Sequence, residues 1–199
     1  MPVTIFDEIL TRGVRSGQIP ARENRARDWY RNAASDRRRM NERTLLRSDT
    51  SRYKTRMRLG DMYMFYYDPK YKETLPYYDR FPLVFPFKKV PGGFLGINLH
   101  YLPLPLRARL MDALYDLTTN TRYDETTRLR LTYNILNSSA KFKWFKPCIK
   151  RYLTEKMDSR FWYVYPSEWD VALFLPLERF AKKNKRQVQS ISRKSLTQQ

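Results

Sequence analysis

An α+β fold is predicted by three features of the chain. Between Gly60 and Leu102, three short runs rich in aromatic and β-branched residues are bounded by Pro, Gly or Asp, the signature of short antiparallel strands. From Pro105 the apolar residues recur at helical spacing, and strand-like runs return at Phe161. The basic and polar residues concentrate before and after the central block.

In chain order, Val3, Ile5, Phe6, Ile9 and Leu10 predict a short amphipathic helix over 3–11, closed near Gly13 and Gly17. A second helix is expected from Pro20 to Arg39, where Trp29, Tyr30 and Ala33 form a narrow apolar stripe among arginines. So thin a stripe needs a partner to pack on. Residues 36–58 show no consistent period and read as an extended basic arm. The central strands follow over 60–70, 75–87 and 94–102. In the third, Leu95, Ile97, Leu99 and Tyr101 fall on one face and Gly96, Asn98 and His100 on the other. Gly93 and Gly96 are expected to serve the hairpin and a close backbone approach.

Pro105 suits a first helical position, and Leu106, Leu110, Leu114 and Leu117 continue that helix. A second runs from about Asp124 to Leu136, and a third starts near Pro147 with Ile149, Tyr152, Leu153 and Met157. Two further strands are expected at Phe161–Tyr165 and Glu168–Leu175, the latter placing Trp169, Val171, Leu173 and Leu175 on one face. Five or so short strands suit a small closed barrel, because closure removes sticky edges. The preferred architecture is therefore an SH3-like antiparallel β-barrel with a helical insertion at about 105–157. The alternative is an open antiparallel sheet with helices on one face. The expected organisation is a basic helical or extended N-terminal arm at 1–59, the barrel domain at 60–180, and a basic C-terminal tail at 181–199.

The formal charge of +19 over 199 residues is unevenly spread. Residues 1–60 carry 15 Lys/Arg against 7 Asp/Glu, residues 61–178 carry 17 against 13, and residues 179–199 carry 7 and none. Such ends favour a polyanion or an acidic protein surface. Candidate nucleic-acid contacts are Arg37, Arg38, Arg39, Arg52, Lys54, Arg56, Lys182, Lys183, Lys185 and Arg186. Phe6, Trp29 and Tyr30 are candidate anchors on a protein partner. The single cysteine, Cys148, excludes an intramolecular disulfide and a multi-cysteine metal site. With no apolar run of spanning length and no signal pattern, synthesis in the cytoplasm and no membrane partner are expected.

No catalytic centre assembles from the motifs. His100 is the only histidine and reads as a structural residue at the barrel surface. The chain has no nucleophile elbow and no phosphate-binding glycine loop. Asp61, Asp68 and Asp79 lie near strand ends, but turn chemistry explains each as well as a metal cluster does. No enzyme activity, cofactor, metal or small-molecule substrate is expected. The dense tyrosines (Tyr63, Tyr66, Tyr67, Tyr77, Tyr78, Tyr101) with Phe65 and Phe81 read as core and partner contacts, or else as a stacking surface for single-stranded nucleic acid.

Over residues 60–180 the chain resembles virion proteins of T-even-like contractile-tailed phages (myoviruses). The resemblance is carried by the stretches 60–70, 75–83 and 93–102, by Ser159-Arg160-Phe161, and by Pro166-Ser167-Glu168-Trp169-Asp170. It implies a structural bacteriophage protein of the virion, made in the host cytoplasm. A DNA end protector, which binds the packaged genome's termini and shields them from host exonuclease, is one such component. A neck, tail or baseplate protein whose basic arms bind neighbouring subunits is the other. The resemblance transfers no catalytic or metal-binding residue.

Overall fold

The computed structural model describes residues 4–18, 24–37, 40–119, 122–141 and 143–197. Three helices open the chain: α1 (Ile5–Arg15), α2 (Asn24–Ser35) and α3 (Glu42–Ser48). Thr4 starts α1 with a capping box, its hydroxyl accepting from the Asp7 amide while the Asp7 carboxylate accepts from the Thr4 amide. Strands β1 (Tyr53–Lys54), β2 (Met62–Met64), β3 (Tyr78–Asp79), β4 (Leu83–Val90) and β5 (Gly93–Asn98) follow. Then come α4 (Leu104–Thr119), α5 (Glu125–Ser139), β6 (Ile149–Leu153), β7 (Phe161–Val164), α6 (Trp169–Ala172), β8 (Phe180–Ala181) and α7 (Lys185–Thr197).

The α+β class stands, but the main sheet is open. Its order is β1-β7-β2-β4-β5-β6, all antiparallel, with β1 and β6 at the edges, and β3 pairs with β8 separately. The closed SH3-like barrel is thus replaced by the open-sheet alternative. Edge exposure is limited because β1 is two residues long and β6 carries Lys150 and Arg151. Both faces are covered, and the period-two alternation sorts the side chains between them. Met62, Met64, Leu83, Phe85, Ile97, Trp162 and Val164 face the helices. Tyr63, Phe65, Val84, Phe94, Tyr152 and Phe161 build a second, aromatic cluster on the opposite face. There Phe65 meets Tyr152 and Phe161 edge-on at 5.3 and 5.5 Å.

Four expectations about elements are corrected. Residues 147–157 form a turn and β6, an edge strand paired with β5, instead of a helix. Glu168–Leu175 holds α6 in place of a strand, because Val171 through Leu175 are buried on every side and their alternation carries no facing information. The segment 36–58 is no extended arm where it is described: Asn41 caps α3, whose Leu45 and Leu46 are buried in the core. Within 181–199, α7 packs Val188 at 0% exposure. Phe6, Ile9, Tyr30 and Ala34 belong to the same apolar cluster as the sheet, so α1 and α2 pack into the core that the sheet forms.

Two glycines sit where strands approach closely. A Cβ at Gly93 would run into the Tyr152 carbonyl of β6, and one at Gly96 into the Val84 side chain of β4. A Gly96→Val protein is expected to lose about 1–3 kcal/mol through overpacking, at about 2–4 °C per kcal/mol for a chain this long. An unshifted melting curve would contradict the pairing of β4 with β5.

Candidate nucleic-acid interface

The basic residues singled out from the sequence meet very different surroundings. Arg52 closes a short 3-10 turn, Thr50–Arg52, that Asp49 caps by accepting from the Ser51 amide. At 3% exposure, its guanidinium donates to both Glu168 oxygens at 2.6 and 2.8 Å and to Asp49 at 2.9 Å. It also lies 4.8 Å over the Trp162 ring. Its expected role as a phosphate contact is corrected: two carboxylates already neutralise it inside the protein. Arg37 pairs with Glu8, and Lys185 with Glu178 at 2.6 Å. Lys54, Arg56 and Arg186 are exposed and Lys183 is half-buried. Arg38 and Arg39 lie outside the described residues.

Lys182 has a left-handed backbone, φ 67°, and its ammonium donates to the carbonyls of Lys72, Glu73 and Leu75 at 2.6, 2.7 and 3.0 Å. It clamps the loop between β2 and β3. Among the expected partner anchors, Phe6 (0% exposed) and Tyr30 (2%) are corrected to core residues. Phe6 stacks on Trp162 at 6.0 Å, and the Tyr30 hydroxyl donates to the Gln18 carbonyl at 2.8 Å. Trp29 is half-buried, edge-on to Tyr30, with the Arg12 guanidinium 5.3 Å over its ring.

His100 is corrected from the surface to the interior. The strand pattern ends at Asn98, whose side chain accepts from the His100 amide and starts a 3-10 turn, Leu99–Tyr101. His100 Nδ1 then lies 2.7 Å from Asp79. Asp79 also accepts from Asn98 Nδ2 and from the amides of Phe81 and Arg179. Asp68 pairs with Lys72, and Asp61, whose pKa burial raises, accepts from the Tyr63 hydroxyl. The three aspartates therefore have separate partners. Among the described residues no group of three or more His, Cys, Asp or Glu is placed to hold a metal ion, and no helix is long and apolar enough to cross a membrane.

Tyr63, Phe65, Tyr67, Phe81 and Tyr101 are buried, so most of the candidate stacking face is core. Tyr77 and Tyr78 remain half-buried beside Tyr71, which is 64% exposed. Together with Lys70, Lys150 and Arg151 they line a cleft of about 510 Å³ between the Lys182-clamped loop and β6. The Lys150 ammonium sits 4.2 Å over the Tyr101 ring, and burial lowers its pKa. Sequence reasoning missed Tyr71, Lys150 and Arg151. The interleaved Lys70-Tyr71-Lys72 was the available signal; the other two needed β6 to be recognised as a strand.

Fold and charge together define a strongly cationic α+β protein on an open antiparallel sheet, with an aromatic–basic cleft beside its β6 edge. Comparison with known families is more specific. The model of the family described as Phage T4 terminal DNA protecting protein matches residues 6–195, and the chain belongs to that family. No curated protein and no solved structure matches the chain significantly.

Proposed function

We propose that the protein is a non-enzymatic virion component that binds the ends of packaged phage DNA and shields them from exonucleases. The observation that carries this reading is membership, over nearly the whole chain, of a DNA-protecting family. The charge of +19 supports it, since cationic surfaces concentrate polyanions. The exposed Lys54, Arg56 and Arg186, with Lys183 and the sequence-adjacent Arg38 and Arg39, are the candidate phosphate contacts. Arg37, Lys182 and Lys185 are already engaged within the protein and contribute less.

Linear duplex DNA mixed with the protein is expected to outlast naked DNA under exonuclease digestion, and closed circles should compete poorly for it. Affinity should fall with salt at a log–log slope of about −0.9 per phosphate neutralised. Binding that is flat in salt, with no protection of linear DNA, would overturn the proposal. A second reading, a neck, tail or baseplate protein binding neighbouring subunits, draws on the α1 surface. There Val14 is 56% exposed, and Arg12 of the same helix lies 5.3 Å over the ring of the half-buried Trp29. Copurification with such subunits after nuclease treatment, without DNA binding, would favour it.

A further inference from the structure

The cleft beside β6 combines features that no packing role requires. Tyr71 projects from the loop with the Lys70 ammonium 5.6 Å from its ring. Across from it, Lys150 has an aromatic ring beneath it and no carboxylate partner among the described residues, while the guanidinium of the neighbouring, exposed Arg151 donates to the Pro91 carbonyl at 3.0 Å. The one carboxylate in the lining, Asp79, is 4% exposed and already accepts from two amides and Asn98, with His100 beside it. It is held by the protein, which leaves the cations to set the charge of the opening. The loop wall is pre-formed, because Lys182 ties three of its carbonyls together.

We infer that this cleft takes the unpaired terminal nucleotide of a DNA strand, its base against Tyr71, Tyr77 and Tyr78 and its phosphate against Lys150. The inference rests on the DNA-binding reading above and deepens it. Aromatic faces stack any base, and lysine or arginine holds the phosphate, so recognition of this kind is sequence-tolerant. A volume of about 510 Å³ lies in the range of pockets that enclose a small ligand. A base still paired and stacked inside a duplex cannot enter such a concavity without being unstacked. A frayed or overhanging end can, at little cost. Concavity thereby converts general DNA affinity into a preference for ends.

The test uses the full chain and two hairpin DNAs, one blunt and one with a two-nucleotide overhang carrying 2-aminopurine at its terminus. The overhang is expected to bind about tenfold more tightly, the effect of one stacked base, with the fluorophore quenched. In Tyr71→Ala, a change at an exposed side chain, the preference and the quenching should disappear while blunt-hairpin affinity stays. Lys150→Gln should reduce the salt slope for the overhang by about 0.7, the single-strand value per phosphate. Equal binding of both hairpins, or a preference that survives Tyr71→Ala, would overturn the cleft and leave the proposed function standing. Failure to bind either hairpin would overturn both. A free 2-aminopurine nucleotide that binds as tightly as the overhang would assign the cleft to mononucleotides and sink the strand-end inference.

Discussion

An Arg107→Met protein is expected to lose about 3–5 kcal/mol of stability, the usual cost of removing one partner from a buried ion pair. Arg107 is fully buried near the start of α4. Its guanidinium donates to the carbonyls of Leu102, Leu173 and His100 at 2.8, 2.7 and 3.1 Å and to the Glu178 carboxylate at 2.8 Å. One side chain thus joins the end of β5, α4, the residues after α6 and the approach to β8. Methionine keeps apolar bulk but strands three carbonyls and leaves the carboxylate with Lys185 alone, and unmade buried hydrogen bonds are costly. Burial pushes the Glu178 carboxyl up, yet the surrounding charges, Arg107 first among them, outweigh it and hold the pKa at about 2. A carboxyl depressed in the folded state stabilises above the unfolded value of about 4.3 and loses that contribution as pH falls toward the folded value. The variant's deficit should therefore be largest above about pH 4.3 and narrow toward pH 2. Urea midpoints of both proteins across that range check this. Equal midpoints at pH 7 would show that the fold does not depend on the guanidinium.

What the sequence revealed, and what it hid, follows from how local each signal is. Strands β2, β4, β5 and β7 and helices α4 and α5 were legible because period and turn residues are properties of neighbours in the chain. The stretch 169–175 was not, since only Asp170 among its seven residues is polar and such a run fits either period. Pro166 and Glu168, which open the short turn before α6, were the overlooked clue. In β6 the spacing of Ile149, Tyr152, Leu153 and Met157 suggests a helix, but pairing with β5 decides the outcome, and pairing is long-range.

The same limit governs the charges. Nothing in Arg52-Tyr53-Lys54-Thr55-Arg56 distinguishes Arg52 from Arg56. The difference is made by Glu168, 116 residues away, which closes on Arg52 and leaves Arg56 in water. Lys182, equally unremarkable in a lysine run, becomes a loop clamp because its backbone turns left-handed beside β8. Net charge read from composition therefore overstates the charge available to a polyanion. The cleft was hidden for a related reason: Tyr71 and Lys150 meet only after two separate parts of the chain are folded against each other.

Deleting residues 1–35 is expected to abolish cooperative melting of the remaining chain. Phe6 and Ile9 of α1 and Tyr30 and Ala34 of α2 are at most 2% exposed and share a cluster with Trp162, Val171 and Leu173. Burying a large apolar side chain contributes about 1.5–3 kcal/mol, and the deletion removes three of them and uncovers those they cover. Total stability is only about 5–15 kcal/mol. Polar losses add to this. Arg31 donates to Asp112 at 2.8 Å and to Asp170 at 3.1 Å, linking α2 to α4 and α6. Burial raises the Asp170 pKa even with Arg31 beside it, so without Arg31 the ionised carboxylate becomes costlier still. The truncated chain should elute as aggregate in size exclusion, bind a hydrophobic dye and show no sharp calorimetric transition. A soluble monomer with a single sharp transition would instead establish α1 and α2 as an appended arm on a self-sufficient body at 36–199. The substitution Phe6→Ala separates the contributions within the full chain. It keeps every charge and removes only the ring stacked on Trp162. A loss of about 3–5 kcal/mol there would assign the effect to burial, and a loss under 1 kcal/mol would shift it to the Arg31 ion pairs.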